Sequence, residues 1–389
     1  MTIDTRILLP ISLEAFFADY WEQQPLHISR ASSTLYADVI TEQSMRSSLT
    51  NQQLYFPGVQ LTQAGRSISP ESYTDSKKKI QPEKATQLHS EGATIVWSQA
   101  HDYFPQLHAF CRELQSAFKL PCLANVYLSP ANQQGFNAHY DSHDVMILQV
   151  SGCKTFRFYK NGVILPFGSE RFDSSIHKAG ELTEEIKLEP GDTLYIPRGM
   201  MHDAVAAGDD ASLHITIGIY TATYKELLQQ QLELMSVGRT GLRRSVESLT
   251  TGSDASITIP ADIPEATAVD SQLLVAAFEQ LQDNLALDSL ADPVSEEMTK
   301  PACDQLTDQS WLSVNHRNVM NLSRSDDAVK LRLFGKILHF TDPLGAAMQW
   351  ILGQSDENFE CQAIPSLSQE QRLALCKQLI LENVVVLLI

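Results

Sequence analysis

From Leu123 to Tyr220 the sequence is punctuated as β-structure and little else. Short apolar runs are cut repeatedly by Gly, Pro and Asn, the residues that turn a chain. The clearest strands are Leu123 to Leu128, Asp144 to Val150, Lys154 to Tyr159, Gly191 to Pro197 and Leu213 to Tyr220. Gly152 turns the second into the third, and Pro197 stops the fourth, because proline cannot donate to a ladder. This rhythm predicts a small β-barrel, an architecture that holds ligands at its strand ends.

One residue pair and a single histidine fall at such ends. His139 and Asp141 stand in Gly135-Phe136-Asn137-Ala138-His139-Tyr140-Asp141, and His202 closes Pro197-Arg198-Gly199-Met200-Met201-His202. On an extended strand, side chains at i and i+2 share a face, so His139 and Asp141 hold one ion from one side. His202 supplies a third ligand. Two His and one carboxylate form the facial set of non-heme Fe(II) oxygenases, which leaves coordination positions open for a co-substrate and O2. A single His-x-Asp is a pattern that chance supplies; the turn-strand-Pro-His segment gives this one its weight. His89-Ser90-Glu91 has the rival His-x-acid form and reads as a solvated loop pair.

The flanks read differently. Ser12 to Trp21 predicts a short amphipathic helix that stops before Pro25, and Tyr103 to Phe118 places Phe104, Leu107, Phe110, Leu114 and Phe118 at helical spacing. Residues up to about 120 mix helix and strand. Beyond Thr223 the chain turns helical over Tyr224 to Met235. It passes a linker at Thr250 to Thr267, then resumes a helix at Ser271 to Leu285 with Leu274, Phe278, Leu281 and Leu285 on one stripe. A second break is expected from Ala291 to Asp304, with Pro293 and Pro301. A hairpin (Val329 to Phe334, Gly335-Lys336, Ile337 to Phe340), a helix from Asp342-Pro343 to near Gly353, a helix opened by the box Ser368-Gln369-Glu370-Gln371 and a strand Val384 to Ile389 follow. Mixed short helices with a hairpin suggest a winged-helix module. Its last helix offers only Arg372 and Lys377 as cations, too few for phosphate-driven DNA binding.

At 389 residues the chain suggests two or three domains, and 43% hydrophobic content is ample for a core. No apolar stretch approaches a membrane span, and Met1-Thr2-Ile3-Asp4-Thr5-Arg6 lacks the signature of a signal peptide. Six scattered cysteines without Cys-x-x-Cys fit reduced thiols in a cytoplasmic protein. A net charge of −18 argues against general nucleic-acid binding and suits a basic protein partner.

In order along the chain come Phe17 to Arg30, Asn125-Val126-Tyr127-Leu128-Ser129-Pro130, Gln134-Gly135-Phe136, His139-Tyr140-Asp141, Leu148 to Lys154, Gly191-Asp192 through Pro197-Arg198-Gly199, His202 and Ser212-Leu213-His214-Ile215-Thr216. This ordered set resembles the JmjC-type ribosomal oxygenases of the cupin superfamily, which include bacterial arginyl and nucleolar histidyl hydroxylases of ribosomal proteins. The resemblance implies an α+β fold: a double-stranded β-helix (jelly-roll, cupin JmjC barrel) with flanking helices, a helical dimerisation region and a C-terminal winged helix. The corresponding boundaries are 1–222, 223–295 and 296–389. By the same resemblance His139, Asp141 and His202 match Fe(II) ligands and catalytic residues. Lys154 matches the cation for the distal carboxylate of 2-oxoglutarate. Asn125, His214 and Thr216 match co-substrate positions, and Tyr127 a substrate-side tyrosine. The implied activity is Fe(II)-, 2-oxoglutarate- and O2-dependent hydroxylation of a His or Arg side chain of a basic ribosomal protein, by a homodimer. Lys at position 154, where the arginyl enzymes carry Arg, tilts the acceptor towards histidine. Two alternatives stand beside it: N-methyl-lysine demethylation at the same metal, and a non-catalytic cupin scaffold.

Overall fold

The computed structural model describes the chain except residues 1–2, 31, 245–270, 289, 291–295, 316–317, 325–327, 355–357 and 389. The expected linker at 250–267 lies outside the described residues. The chain divides into two compact units, Met1–Tyr220 and Thr221–Ile389.

The first unit carries helices α1 (Ile3–Leu8), α2 (Leu13–Asp19), α3 (Glu42–Asn51), α4 (Pro82–Ser90) and α5 (Pro105–Phe118). Its strands are β1 (Leu26–Ile28), β2 (Val59–Gln63), β3 (Arg66–Ser67), β4 (Thr94–Trp97), β5 (Cys122–Ser129), β6 (Asp144–Ser151), β7 (Cys153–Tyr159), β8 (Leu182–Leu188), β9 (Thr193–Ile196), β10 (Met201–Ala207) and β11 (Ser212–Ile219). Eight of them form one sheet in the order β1-β9-β6-β11-β5-β4-β2-β3, and β10-β7-β8 form a second. The two sheets share a dry core. Val145 and Ile147 of β6 and Leu194 and Ile196 of β9 meet Phe156 and Phe158 of β7 and Leu188 of β8. Every described pairing is antiparallel, as a barrel built from hairpins requires.

Alternation decides which side chains face the cavity. On β5, Ala124, Val126 and Leu128 are buried away from it, so Asn125 and Tyr127 point the other way. On β11, Leu213, Ile215 and Ile217 are buried, which leaves His214 and Thr216 opposite Tyr127 and Asn125 in the ladder. The helix α5 opens with Pro105 at its first turn and buries Leu107, Phe110, Cys111, Leu114 and Phe118. Lys119, in the left-handed region at φ 56°, ends it.

One sequence expectation fails here. His89 is not a solvated loop residue: it ends α4, is buried, and donates its Nδ1–H to the Ala93 carbonyl at 2.8 Å. The helix continues one turn further than polarity suggests, because Ala85 and His89 share its buried face.

The second unit contains α6 (Tyr224–Gly238), α7 (Thr240–Arg243), α8 (Ser271–Asp288), α9 (Glu296–Gln305), α10 (Leu344–Gly353) and α11 (Gln369–Leu381). Strands β12 (Trp311–Val314), β13 (Val319–Arg324), β14 (Val329–Leu333), β15 (Lys336–Phe340), β16 (Phe359–Glu360) and β17 (Val385–Leu388) make two three-stranded sheets. Helices α6 and α8 pack on each other, and α8 also packs on β14 and β15. A polar pin joins them. The fully buried Arg332 guanidinium pairs with Asp283 of α8 and donates to the Ser323 hydroxyl at 2.9 Å and the Glu279 carbonyl at 3.1 Å; Lys330 reaches the same Asp283 at 2.6 Å.

One expectation is corrected in this unit, over its described part, since 291–295 lie outside the described residues. Residues 296–305 are helical, with Pro301 inside, where a break was expected from Ala291 to Asp304. Pro301 is exposed, while Ala302, Cys303 and Leu306 pack on the apolar core of the unit, which offsets the lost hydrogen bond. On α8 the stripe residues Leu274, Leu281 and Leu285 are half-buried. Ala277 and Ala286 are fully buried, whereas Phe278 is 49% exposed. Small residues let the α8 backbone approach its neighbours, and the large side chains stand to the flanks.

Candidate metal centre

The three expected metal ligands converge. Ligand atoms of His139, Asp141 and His202 all lie within 4.8 Å of one another, the only such group of three among the described residues. The segment carrying His139 and Asp141 is not a regular strand. It is extended chain with a single bridge, His139 to His202, closed by two main-chain hydrogen bonds of 2.9 and 2.7 Å. The Gly199 N–H donates to the Asp141 carbonyl at 2.9 Å. Backbone bonding therefore sets the spacing of all three ligands. Gly199 is required for it: φ is +86°, and a Cβ would sit 1.7 Å from the Val163 carbonyl oxygen.

Both imidazoles are prepared to bind a cation. His139 donates Nδ1–H to the Asn137 carbonyl at 2.8 Å, and His202 donates Nδ1–H to the Met200 carbonyl at 2.9 Å. Each bond fixes the tautomer that leaves Nε2 a lone pair. Burial, and then the neighbouring His139, hold the His202 pKa below its ordinary value, so the ring is neutral. His202 Nε2 lies 3.9 Å from Asp141 Oδ2. Two imidazoles and one Asp side chain on one side fit Fe(II) and leave the far side open.

The triad opens on a cavity of about 100 Å³, the scale of a small organic acid. Asn125, Tyr127, Lys154, His214 and Thr216 line it together with the three ligands, so all eight residues singled out in the sequence meet at one place. Lys154 is the decisive one. It is 4% exposed, its Nζ donates to the Ser129 hydroxyl at 3.3 Å, and no carboxylate pairs with it among the described residues. Burial alone pulls its pKa down to about 7. His214 Nδ1 is also buried without a partner, its ring stacked on Tyr127 at 4.8 Å and 5°. Burial, then Lys154, push the His214 pKa well down. An unpaired ammonium and an orphaned imidazole nitrogen in one cavity are what an incoming carboxylate satisfies, so these residues fit 2-oxoglutarate.

Sequence reasoning missed several lining residues. Thr94 enters from β4, its hydroxyl donating to Ser129 Oγ at 3.0 Å. His143 extends the alternation of His139 and Asp141 by one more step, a signal that was readable. It lines the cavity stacked on Tyr220 at 4.9 Å, and burial lowers its pKa. Behind the site, Arg198 pairs with Glu22 at 2.6 Å. The buried Asp144 accepts from the Tyr195 hydroxyl at 2.6 Å, which ties the N-terminal segment to the turn before His202.

Comparison with known proteins agrees with this geometry: residues 98–227 match the family model described as JmjC domain. Among curated relatives, the "Bifunctional lysine-specific demethylase and histidyl-hydroxylase NO66" of Dictyostelium discoideum is 31% identical over 225 residues, 55% of this chain and 42% of that protein. The protein of the same name from Drosophila persimilis is 31% identical over 238 residues, 59% of this chain and 33% of that one. The chain thus spans less than half the length of these relatives. Among solved structures, the chain matches the E. coli YcfD structure with TM-score 0.53 at 13% identity, covering 98% of this chain and 100% of that one. A structure described as YcfD, a ribosomal oxygenase, in complex with cobalt and 2-oxoglutarate matches with TM-score 0.52 at 14% identity, covering 97% and 98%. At that identity the likeness is one of fold. No described helix is long and apolar enough to cross a membrane.

Proposed function

We propose that this JmjC-domain protein is an Fe(II)- and 2-oxoglutarate-dependent oxygenase that hydroxylates a histidine side chain of a basic ribosomal protein. The observation that carries the reading is the pairing of the His139–Asp141–His202 cluster with the buried, unpaired Lys154 in one cavity. Iron with 2-oxoglutarate and O2 would supply the oxidising power to insert oxygen into a C–H bond. The protein's part is placement. His139, Asp141 and His202 hold the ion from one side, their rings fixed by carbonyl acceptors. Lys154 neutralises the distal carboxylate, and its proton is kept by the anion it meets. Asn125 and Thr216 offer polar contacts, and the Tyr127–His214 stack walls the site and excludes water.

Acceptor identity follows from charge. Among the described residues Asp141 is the only carboxylate lining the cavity, and in this reading it belongs to the metal. A guanidinium would enter without a counter-charge, whereas a neutral imidazole needs none. The histidyl-hydroxylase named among the relatives points the same way. The net charge of −18 suits a basic substrate. We also assign the second unit as a helical dimerisation region followed by a winged helix, in a cytoplasmic homodimer. The apolar side chains exposed on α6 and α8 (Leu228, Leu232, Val275, Phe278) support the dimer.

The test incubates the iron-loaded protein with 2-oxoglutarate and ribosomal proteins from cells lacking it. Succinate formation with a gain of one oxygen on a histidine is the expected result, lost in His139→Ala. Formaldehyde from a methylated peptide, without that gain, would replace hydroxylation by demethylation.

A further inference from the structure

Beside the metal ligand His139 stand two aromatic rings that the proposed chemistry does not use. Phe136 is 39% exposed, with its ring centroid 6.0 Å from that of His139 and 6.0 Å, edge-on, from that of Tyr127. Phe172 comes from the connection between β7 and β8, and its ring stands edge-on to His139 at 6.2 Å. Among the described ring contacts none joins Phe136 to Phe172. Two partly exposed rings therefore flank one metal ligand without covering each other.

Phe172 is held there. Tyr140, between the ligands His139 and Asp141, is 2% exposed and donates its hydroxyl to the Glu170 carbonyl at 3.2 Å. The same hydroxyl lies 3.3 Å from His177 Nε2. Its ring meets Phe172 at 5.5 Å and His177 at 5.1 Å, both edge-on. The connecting loop is thus fastened to the ligand segment by a buried tyrosine, and Phe172 is the ring it sets beside His139.

Large apolar rings left partly in water are explained by a guest that covers them. A planar side chain gains most from such a place, because stacked or edge-on rings attract at centroid separations of about 4.5–7 Å. We propose that Phe136 and Phe172 clamp a planar acceptor side chain over the metal and so set which residue is oxidised, with Tyr140 as the positioning residue for Phe172. The inference rests on the protein-hydroxylase reading above and adds the residues that select its substrate. It requires that branched aliphatic acceptors be poor substrates even in an identical basic sequence.

The test uses a set of lysine-flanked peptides that differ only at a central residue: His, Trp, Leu or Val. Three quantities are read: oxygen gained by each peptide, succinate formed without peptide, and binding of the fluorescein-labelled His peptide to the zinc-loaded, catalytically inert protein. With the wild type, oxidation is confined to the planar residues. Phe172→Ala and Phe136→Ala each lower binding and oxidation of the His peptide by about tenfold, with peptide-free succinate formation unchanged, and Phe172→Tyr restores them. Equal oxidation of Leu and His peptides, or Phe172→Ala binding like the wild type, would overturn the clamp. Wild-type protein that forms succinate yet oxidises no peptide would instead sink protein hydroxylation itself.

Discussion

Replacing Lys154 with Met should make the free protein more stable and the co-substrate site useless. The side chain is 4% exposed and has one neutral hydrogen-bond partner, the Ser129 hydroxyl at 3.3 Å. Burial lowers its pKa from 10.5 to about 7. Each unit corresponds to about 1.4 kcal/mol, so at pH 7.5 the folded protein carries a penalty of up to about 4 kcal/mol for this group. Methionine has similar length and no charge to desolvate. It forfeits a hydrogen bond worth about 1 kcal/mol, which leaves a net gain on the order of 2–3 kcal/mol. For a unit of this size that raises Tm by roughly 5–10 °C. Binding moves the other way. Removing one member of a buried charge pair costs about 2–5 kcal/mol, so 2-oxoglutarate affinity should fall by about 30-fold or more. Differential scanning calorimetry and 2-oxoglutarate titration of the metal-loaded variant measure both signs. A variant that melts lower than the wild type and binds 2-oxoglutarate equally well would refute the assignment of Lys154 as an anion receptor without a protein counter-ion.

The same shift fixes a pH dependence. A lysine with a depressed folded-state pKa binds fewer protons folded than unfolded between pH 7 and 10.5. Its penalty is therefore largest at and below pH 7 and vanishes above pH 10.5. At pH 8 the free site is mostly neutral, so 2-oxoglutarate binding should take up close to one proton; calorimetry in two buffers of different ionisation enthalpy counts it, and zero uptake contradicts the reading. Gly199→Ala must place a methyl group against the Val163 carbonyl at a left-handed turn; we expect loss of at least 3 kcal/mol of stability in the first unit, or displacement of His202 seen as weakened Co(II) binding in absorption titration. Asp283→Ala leaves the buried Arg332 without its counter-ion, and should destabilise the second unit by about 3–5 kcal/mol in urea unfolding, with the first unit's Co(II) binding untouched.

Much of the site was legible because sheets have period two. The alternation on β5 and β11 places Asn125, Tyr127, His214 and Thr216 on one face, and the cavity receives all four. The strands of the barrel were legible from Gly and Pro punctuation for the same reason. Long-range contacts were not. Nothing local says that Tyr140 meets His177 and Phe172, since only folding of the connection between β7 and β8 brings them together. His89 misled because a polar tripeptide was read without the helix that buries it. Pro301 misled because its local cost of about 3 kcal/mol is outweighed by packing that a sequence window does not contain.

The bridge between His139 and His202 has a consequence for redesign. Both ligand positions are fixed by main-chain bonds, and Asp141 is tied to the Gly199 turn through its carbonyl rather than its carboxylate. The three side chains are thus interchangeable cargo on a preset frame. Asp141→Gly should leave two imidazoles in place and open a vacancy for an external anion such as chloride or azide. Asp141→His would offer a three-nitrogen site suited to zinc. Either exchange would convert this frame into a template for other metal chemistry, without rebuilding the barrel that carries it.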